Sequence, residues 1–244
     1  LIIKVSGDLL TTDKDMEKNM NDSYRCERKF TTDVLSAVHV MSLIKSHPSI
    51  FTVPYPPRYI NNIYLDTKDM TYYHENVIGA RNRRKARIRW YGSLMGEVEE
   101  PVLEFKIKDG SIGIKEYYSF PPFSLDDDFN SNYFKGLLNG GHLSDEIRFY
   151  LRDLDPVLVN RYYRHYFITK DGKFRLTLDQ KMSYYNIRPL RNNFLYRHTD
   201  HNNIIIEIKY DKDLDHKAGK ISHFFPFTLT KSSKYVQGID NVYI

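Results

Sequence analysis

Glutamate and lysine recur two residues apart in segments that lie far from one another: Glu27 and Lys29 in RCERK, Glu104 and Lys106 in VLEFKIKDG, Glu207 and Lys209 in IIIEIK. Two is the side-chain period of a strand, so in each segment both charges share one face and the apolar neighbours take the other. Lys108 continues the face of Glu104 and Lys106, while Leu103, Phe105 and Ile107 face away. The same design returns elsewhere. Arg87 and Arg89 alternate with Ile88 and Trp90, Lys115 with Ile112 and Ile114, and Arg175, Thr177 and Asp179 with Leu176 and Leu178. A single strand of this kind is an ordinary amphipathic edge strand. An open sheet with a solvated charged face explains the repeated alternation, but not the choice of long cations interleaved with carboxylates.

That choice points to chemistry. Rows of Arg and Lys match a polyanion, and the planar guanidinium fork matches phosphate. Interspersed carboxylates can hold a hard divalent ion, Mg2+ or Mn2+, that bridges phosphate oxygens. So many charges can be buried only if they pair with one another, with water or with a ligand. A closed barrel with the charged face inward would form a polar tunnel, its apolar exterior covered by helices. Other phosphate and metal chemistries lack support. DGSIG has no Gly-Lys-Ser/Thr ending and is no phosphate loop. The nine histidines show no zinc-ligand spacing. His165, next to Arg164, faces the other way and reads as structural, and Cys26 reads as a small apolar residue. Asp179 reads as orienting Arg175 or a metal-bound water. In RNRRKARIR (81–89), Arg83, Arg84 and Lys85 are expected in solvent at the mouth of the strand, where they could steer an anion.

The elements that must position these residues can be read coarsely. The chain has 244 residues, 41% apolar and 27% charged, with a net charge of +5. That is enough for a substantial core, and no apolar run reaches membrane-spanning length. LIIKVSGDLL is too short and polar for a signal peptide, and a lone cysteine allows no internal disulfide, so a cytoplasmic location is expected. Residues 1–22 read as a loosely ordered start and 23–244 as one domain. Strands are expected over 24–30, 59–67, 84–92, 102–109, 112–119, 156–169, 173–180 and 202–210. Helices are expected after Thr32 or Asp33, over 124–154 with an interruption at Asn139-Gly140-Gly141, and over 212–225 and 230–239, with a short helix or turn over 68–78. Short turns between sequential strands predict an antiparallel sheet. The expected architecture is therefore α+β: a closed antiparallel β-barrel of about eight strands forming a charged tunnel, flanked by helices.

The ordered set YRCERKF, IYLDT, NRRKARIRWYG, LEFKIKDG, YYRHYF, FRLTLD, IIEIKY and TKSSKY resembles the VTC domain. This is the polyphosphate polymerase branch of the CYTH, or triphosphate tunnel metalloenzyme, superfamily. The resemblance runs from about Tyr24 to Asp240. It implies that Lys29, Arg87, Arg89, Lys106, Lys115, Tyr162, Arg164, Arg175, Lys231, Ser233 and Lys234 grip a phosphate chain. It also implies that Glu207 holds a divalent metal, usually Mn2+. Lys108 and Lys209 fall on the same faces and are candidate lining residues, and Glu27 and Glu104 are either further metal ligands or simply partners of Lys29 and Lys106. Tyr162 either stacks a nucleotide base or packs. The wider superfamily opens with Glu-x-Glu-x-Lys, whereas here Arg25 stands at the first glutamate position. That loss weakens a second metal site and tilts the expectation from hydrolysis towards transfer.

The implied activity is metal-dependent transfer of the γ-phosphate of ATP to pyrophosphate or a growing polyphosphate chain. The alternatives are a tunnel-fold triphosphatase and a non-catalytic polyphosphate-binding module. A duplex could not thread a narrow barrel, so no nucleic-acid partner is expected. No membrane segment is expected in this chain, and a membrane or accessory partner stays open.

Overall fold

Alternation along the strands decides which side of the sheet meets the core. In β4 (Asn82–Tyr91), Ala86, Ile88 and Trp90 are buried while Lys85, Arg87 and Arg89 stay half-buried on the opposite face. The computed structural model describes residues 25–109, 112–195 and 197–243. The loosely ordered start expected over 1–22 and the turn at Gly110 lie outside them.

The main sheet is antiparallel. Its strands are β1 (Arg25–Thr32), β2 (Phe51–Thr52), β3 (Arg58–Asp66), β4, β6 (Val102–Asp109), β7 (Ile112–Ser119), β9 (Asp155–Thr169), β10 (Arg175–Asn186), β11 (Arg197–Asp200), β12 (Ile204–Asp211) and β13 (Thr228–Leu229). They run in the order β13-β1-β12-β10-β9-β3-β4-β6-β7, with β11 on the far half of β10 and β2 on the end of β9. A small second sheet pairs β5 (Gly96–Val98) with β8 (Phe123–Leu125). Six α-helices are described: α1 (Ala37–Lys45), α2 (Thr71–Val77), α3 (Ser131–Asn139), α4 (Asp145–Leu151), α5 (Asp215–His223) and α6 (Lys234–Tyr243).

The sheet is strongly curled. β1 and β6 stand six ladder steps apart in the strand order, about 29 Å in a flat sheet. Yet the charges of Glu27 on β1 and Lys106 on β6 act on each other. Lys85 on β4 donates a 2.8 Å hydrogen bond to Ser233, just beyond β13. The charged faces therefore line the inside of a trough. Among the described residues the expected closure is not seen. The main sheet has eleven strands rather than about eight, and among the described residues no backbone ladder joins β7 to β1. The edge of β1 that a barrel would use is taken by β13, through Phe30 with Leu229 and Thr31 with Thr228.

Two cores cover the convex face. Ile63, Ile88, Trp90 and Leu103 pack with Phe129 and Phe134 under α3 and α4. Leu176, Leu178, Ile206 and Ile208 pack with Val40 of α1 and Ala218 of α5. A third cluster lies inside the trough. Ile60, Tyr64, Leu158, Tyr162, Met182, Tyr184 and Ile205 meet Tyr235 and Ile239 of α6. This helix is fixed at both ends: Tyr235 hydrogen-bonds Asp66, and the Tyr243 hydroxyl donates to the Val157 carbonyl at 2.6 Å. Asp66, wholly buried at the end of β3, also accepts from the backbone N–H groups of Tyr72 and Tyr73, so one carboxylate caps α2 and holds α6.

The strand after Tyr24 runs on to Thr32, so Ser36 rather than Thr32 or Asp33 caps α1. The helical reading of 124–154, broken at Asn139-Gly140-Gly141, corresponds to α3 and α4 on either side of that break, whereas β2, β5, β8, β11 and β13 have no counterpart in the sequence reading.

Gly238 is the close-approach point of α6. A Cβ there would collide with Leu158 and Tyr184. Gly238→Val should cost about 1–3 kcal/mol, seen in urea denaturation as a lower midpoint with an unchanged slope.

Candidate functional site

Register brings the sequence-predicted charges together on the concave face. Lys29 lies opposite Glu207, Glu27 opposite Lys209, and Arg175 opposite Lys209 on the other side. The Lys29 ammonium sits between two carboxylates, 2.9 Å from Glu27 and 3.3 Å from Glu207, and also donates to the Ser232 carbonyl. Burial alone would lower its pKa; Glu207, then Glu27, outweigh that and hold it above the ordinary lysine value. Burial likewise works against the Glu207 carboxylate, but Lys29, Lys209, Lys234 and Arg164 together keep it well below the carboxylate range. Burial and neighbouring Glu207 raise Glu27, yet Lys29, Lys106 and Lys209 win and it too is lowered.

A second group forms on β4 and β6. Glu104 accepts from Arg87 Nε at 2.7 Å and pairs with Arg89 at 3.0 Å. Arg89 also donates to Asn62, which donates in turn to Asn160. Both asparagines are wholly buried, so this chain fixes the arginine from below. Burial raises the Glu104 carboxyl, but Arg87 and Arg89 hold it down.

The third group fastens the closing helix. Asp179, wholly buried, takes Arg164 in a bidentate pair at 2.6 and 2.7 Å and Lys234 at 2.6 Å. Arg164 and Lys234 both lie over the ring of Tyr162.

The remaining predicted residues take a range of settings. Asp179 pairs with Arg164 and Lys234, not Arg175, because register sets it opposite Arg164. Tyr162 is 1% exposed, which leaves no ring face for a nucleotide base; it packs. Lys231 is exposed and stands outside the ion-pair groups, on the approach to α6. Lys106, Lys108 and Lys115 share the concave face, Lys115 opposite Lys106 and Lys108 opposite Gly113. His165 lies on the convex face beside Gln180.

Lys85 was expected in solvent and is not. It shares the face of Arg87 and Arg89, as its odd number already required. Its ammonium reaches Ser233 and, among the described residues, pairs with no carboxylate. Burial, then Lys29, Lys106, Arg87 and Arg83, push it down to about 7. Lys106 is lowered as well, by burial first and by Lys29 and Lys115, partly offset by Glu27.

The three candidate metal ligands divide. Glu27 and Glu207 flank Lys29, whereas Glu104 is engaged by the arginine pair. Among the described residues no three His, Cys, Asp or Glu side chains gather. Glu27 and Glu207, both ionised and both against Lys29, are the carboxylates that could hold a hard divalent ion.

The sequence matches the family described as the VTC domain over residues 19–243. No curated protein matches it. Among solved structures, a Vibrio parahaemolyticus protein described as a candidate adenylate cyclase aligns with TM-score 0.51 and 11% identity, over 88% of this chain and 98% of that one. A Pyrococcus horikoshii protein aligns with TM-score 0.48 and 12% identity, over 89% and 99%. A Hippeastrum protein, described as a candidate adenylyl cyclase with a dominant triphosphatase activity, aligns with TM-score 0.46 and 14% identity, over 90% and 98%. The Vibrio structure shows the same α+β fold.

Lys85 gives the site a pH signature. A bound polyanion favours the ammonium, so above about pH 7 binding takes up a proton and affinity falls as pH rises. Stability moves the other way. The unfolded chain holds more protons at this position between about pH 7 and the ordinary lysine range, so Lys85 makes stability increase with pH there. Calorimetry with tripolyphosphate in buffers of different ionisation enthalpy should show this uptake in the parent protein. It should shrink in Lys85→Arg, whose guanidinium stays charged.

Proposed function

We propose, from the premise that the chain belongs to the VTC domain family, that it binds the triphosphate of ATP in the trough and transfers its γ-phosphate to a growing polyphosphate chain. The observation that carries this reading is the convergence of cations from β1, β4, β6, β9, β12 and α6 on one concave face, where Glu27, Glu104, Asp179 and Glu207 hold them in fixed positions.

Arg87, Arg89, Lys106, Arg164 and Lys29 would grip successive phosphates. An anionic terminal oxygen of pyrophosphate or polyphosphate attacks the γ-phosphorus in line, a new P–O bond forms, the bond to the β–γ bridging oxygen breaks, and ADP leaves. The attacking oxygen is already anionic, so the step needs no base and no Ser-His-Asp arrangement. Positioning and charge stabilisation do the catalytic work. A divalent ion, Mn2+ or Mg2+, held by Glu207 and Glu27 would supply charge neutralisation between phosphate oxygens. The arginines are tied down before any ligand arrives, Arg89 by Glu104 and Asn62 and Arg164 by Asp179, so little reorganisation remains for the reaction.

Purified protein with ATP and Mn2+, with and without pyrophosphate, should yield a polyphosphate ladder on a stained polyacrylamide gel. Glu207→Ala should abolish the ladder, and Arg89→Ala should slow it about a hundredfold. Free phosphate without a ladder would instead make the chain a triphosphatase. Tight binding with neither product would make it a binding module.

A further inference from the structure

With Tyr162 buried, the phosphate-gripping residues leave the nucleoside of a nucleotide without a partner. One rim of the trough offers one. Arg58, at the start of β3, lies opposite Arg164 on β9, and so continues the cationic face outward. Its guanidinium carbon sits 3.9 Å from the ring centroid of Tyr91 and 5.5 Å from that of Tyr166. Its Nε donates to the Tyr166 hydroxyl at 3.1 Å. Tyr55 meets Tyr166 edge-on at 5.9 Å. Arg58 is thus fixed by two rings. Tyr91 itself is 49% exposed, and its ring carries the guanidinium on one face.

Position matters as much as exposure. Tyr91 follows Arg89 by two residues on the same face of β4, so the exposed ring lies about 6.6 Å along the strand from the arginine. That is comparable with the separation of a base from the phosphates of its own nucleotide. A large exposed aromatic, backed by a cation and set one step beyond a phosphate-binding arginine, is suited to stacking a flat π-system.

We propose that Arg58, Tyr91 and Tyr166 form a stacking platform for the nucleobase of the phosphate donor, with the base on the face of Tyr91 opposite the guanidinium, so that the site prefers nucleoside triphosphates to inorganic triphosphate. This rests on the proposed use of a nucleotide. Stacking has no hydrogen-bond readout here, so the platform accepts purines over pyrimidines by area rather than by pattern.

Affinities for ATP and for inorganic tripolyphosphate would be measured on the parent protein, Tyr91→Ala, Tyr91→Phe and Arg58→Ala. The expected result is tighter binding of ATP than of tripolyphosphate by the parent. That preference should fall about tenfold in Tyr91→Ala, as loss of one stacked base gives, and be retained in Tyr91→Phe. In Tyr91→Trp, ATP should quench the new indole while tripolyphosphate does not; the native Trp90 is buried at 3% exposure and serves as background. An unchanged preference in Tyr91→Ala, or equal losses for both ligands, would overturn the platform and leave phosphate binding in the trough standing. A parent protein that binds neither ligand would overturn both readings.

Discussion

Asp179 is the constraint on which the trough depends. Its carboxylate has no contact with solvent and holds Arg164 on β9 and Lys234 at the start of α6 at once. Removing either cation would leave a buried charge without full compensation, a loss of about 3–5 kcal/mol. The geometric consequence is larger still. With Lys234 pinned to the centre of the sheet, Ser233 is set against Lys85 and the Ser232 carbonyl against Lys29. Farther along α6, Tyr235 comes down on Asp66. One ion triad therefore fixes where the closing helix crosses the sheet, and how the strand edges face each other above it.

Around that triad the charges are arranged in small self-compensated groups. Glu207 and Glu27 serve Lys29, Glu104 serves Arg87 and Arg89, and Asp179 serves Arg164 and Lys234. Each carboxylate is held below its ordinary range by its own cations. Such pairing fixes the cations without neutralising the face as a whole: among the described residues Lys85 meets a hydroxyl, and Lys106 shares Glu27 and Glu207 with other lysines. Rigid cations with an unsatisfied remainder are what a polyanion meets. A site of this kind is organised before binding rather than by it.

Much of this was legible in the sequence, and for a definite reason. Parity along a strand depends only on local geometry, so the charged faces of β1, β4, β6, β10 and β12 could be assigned without coordinates. The same rule, applied strictly, would have put Lys85 on the inner face; its setting in a basic run drew it outward instead. What parity cannot give is register. Asp179 sits opposite Arg164 through the turn at 170–174, and its neighbour Lys181 adopts φ 53° where the β9–β10 pairing shifts. Nor can it give closure, which depends on a two-residue strand, β13, taking the edge of β1. Tyr162 shows the third limit. The sequence left it between stacking a base and packing, and the arrival of α6 over that end of the trough buries it.

The unpaired seam between β1 and the hairpin of β6 and β7 alters the mechanics of the molecule. A hydrogen-bonded ladder holds neighbouring strands about 4.8 Å apart and tolerates no other spacing. Across this seam Lys85 reaches Ser233 through a side chain with several rotatable bonds, and the charges of Glu27 and Lys106 act on each other. The girth of the cavity is thereby released from the backbone and given to rotamers and counter-charges. The spacing of the two sheet edges is thus set by side chains, while the cations between them stay held by their own carboxylates.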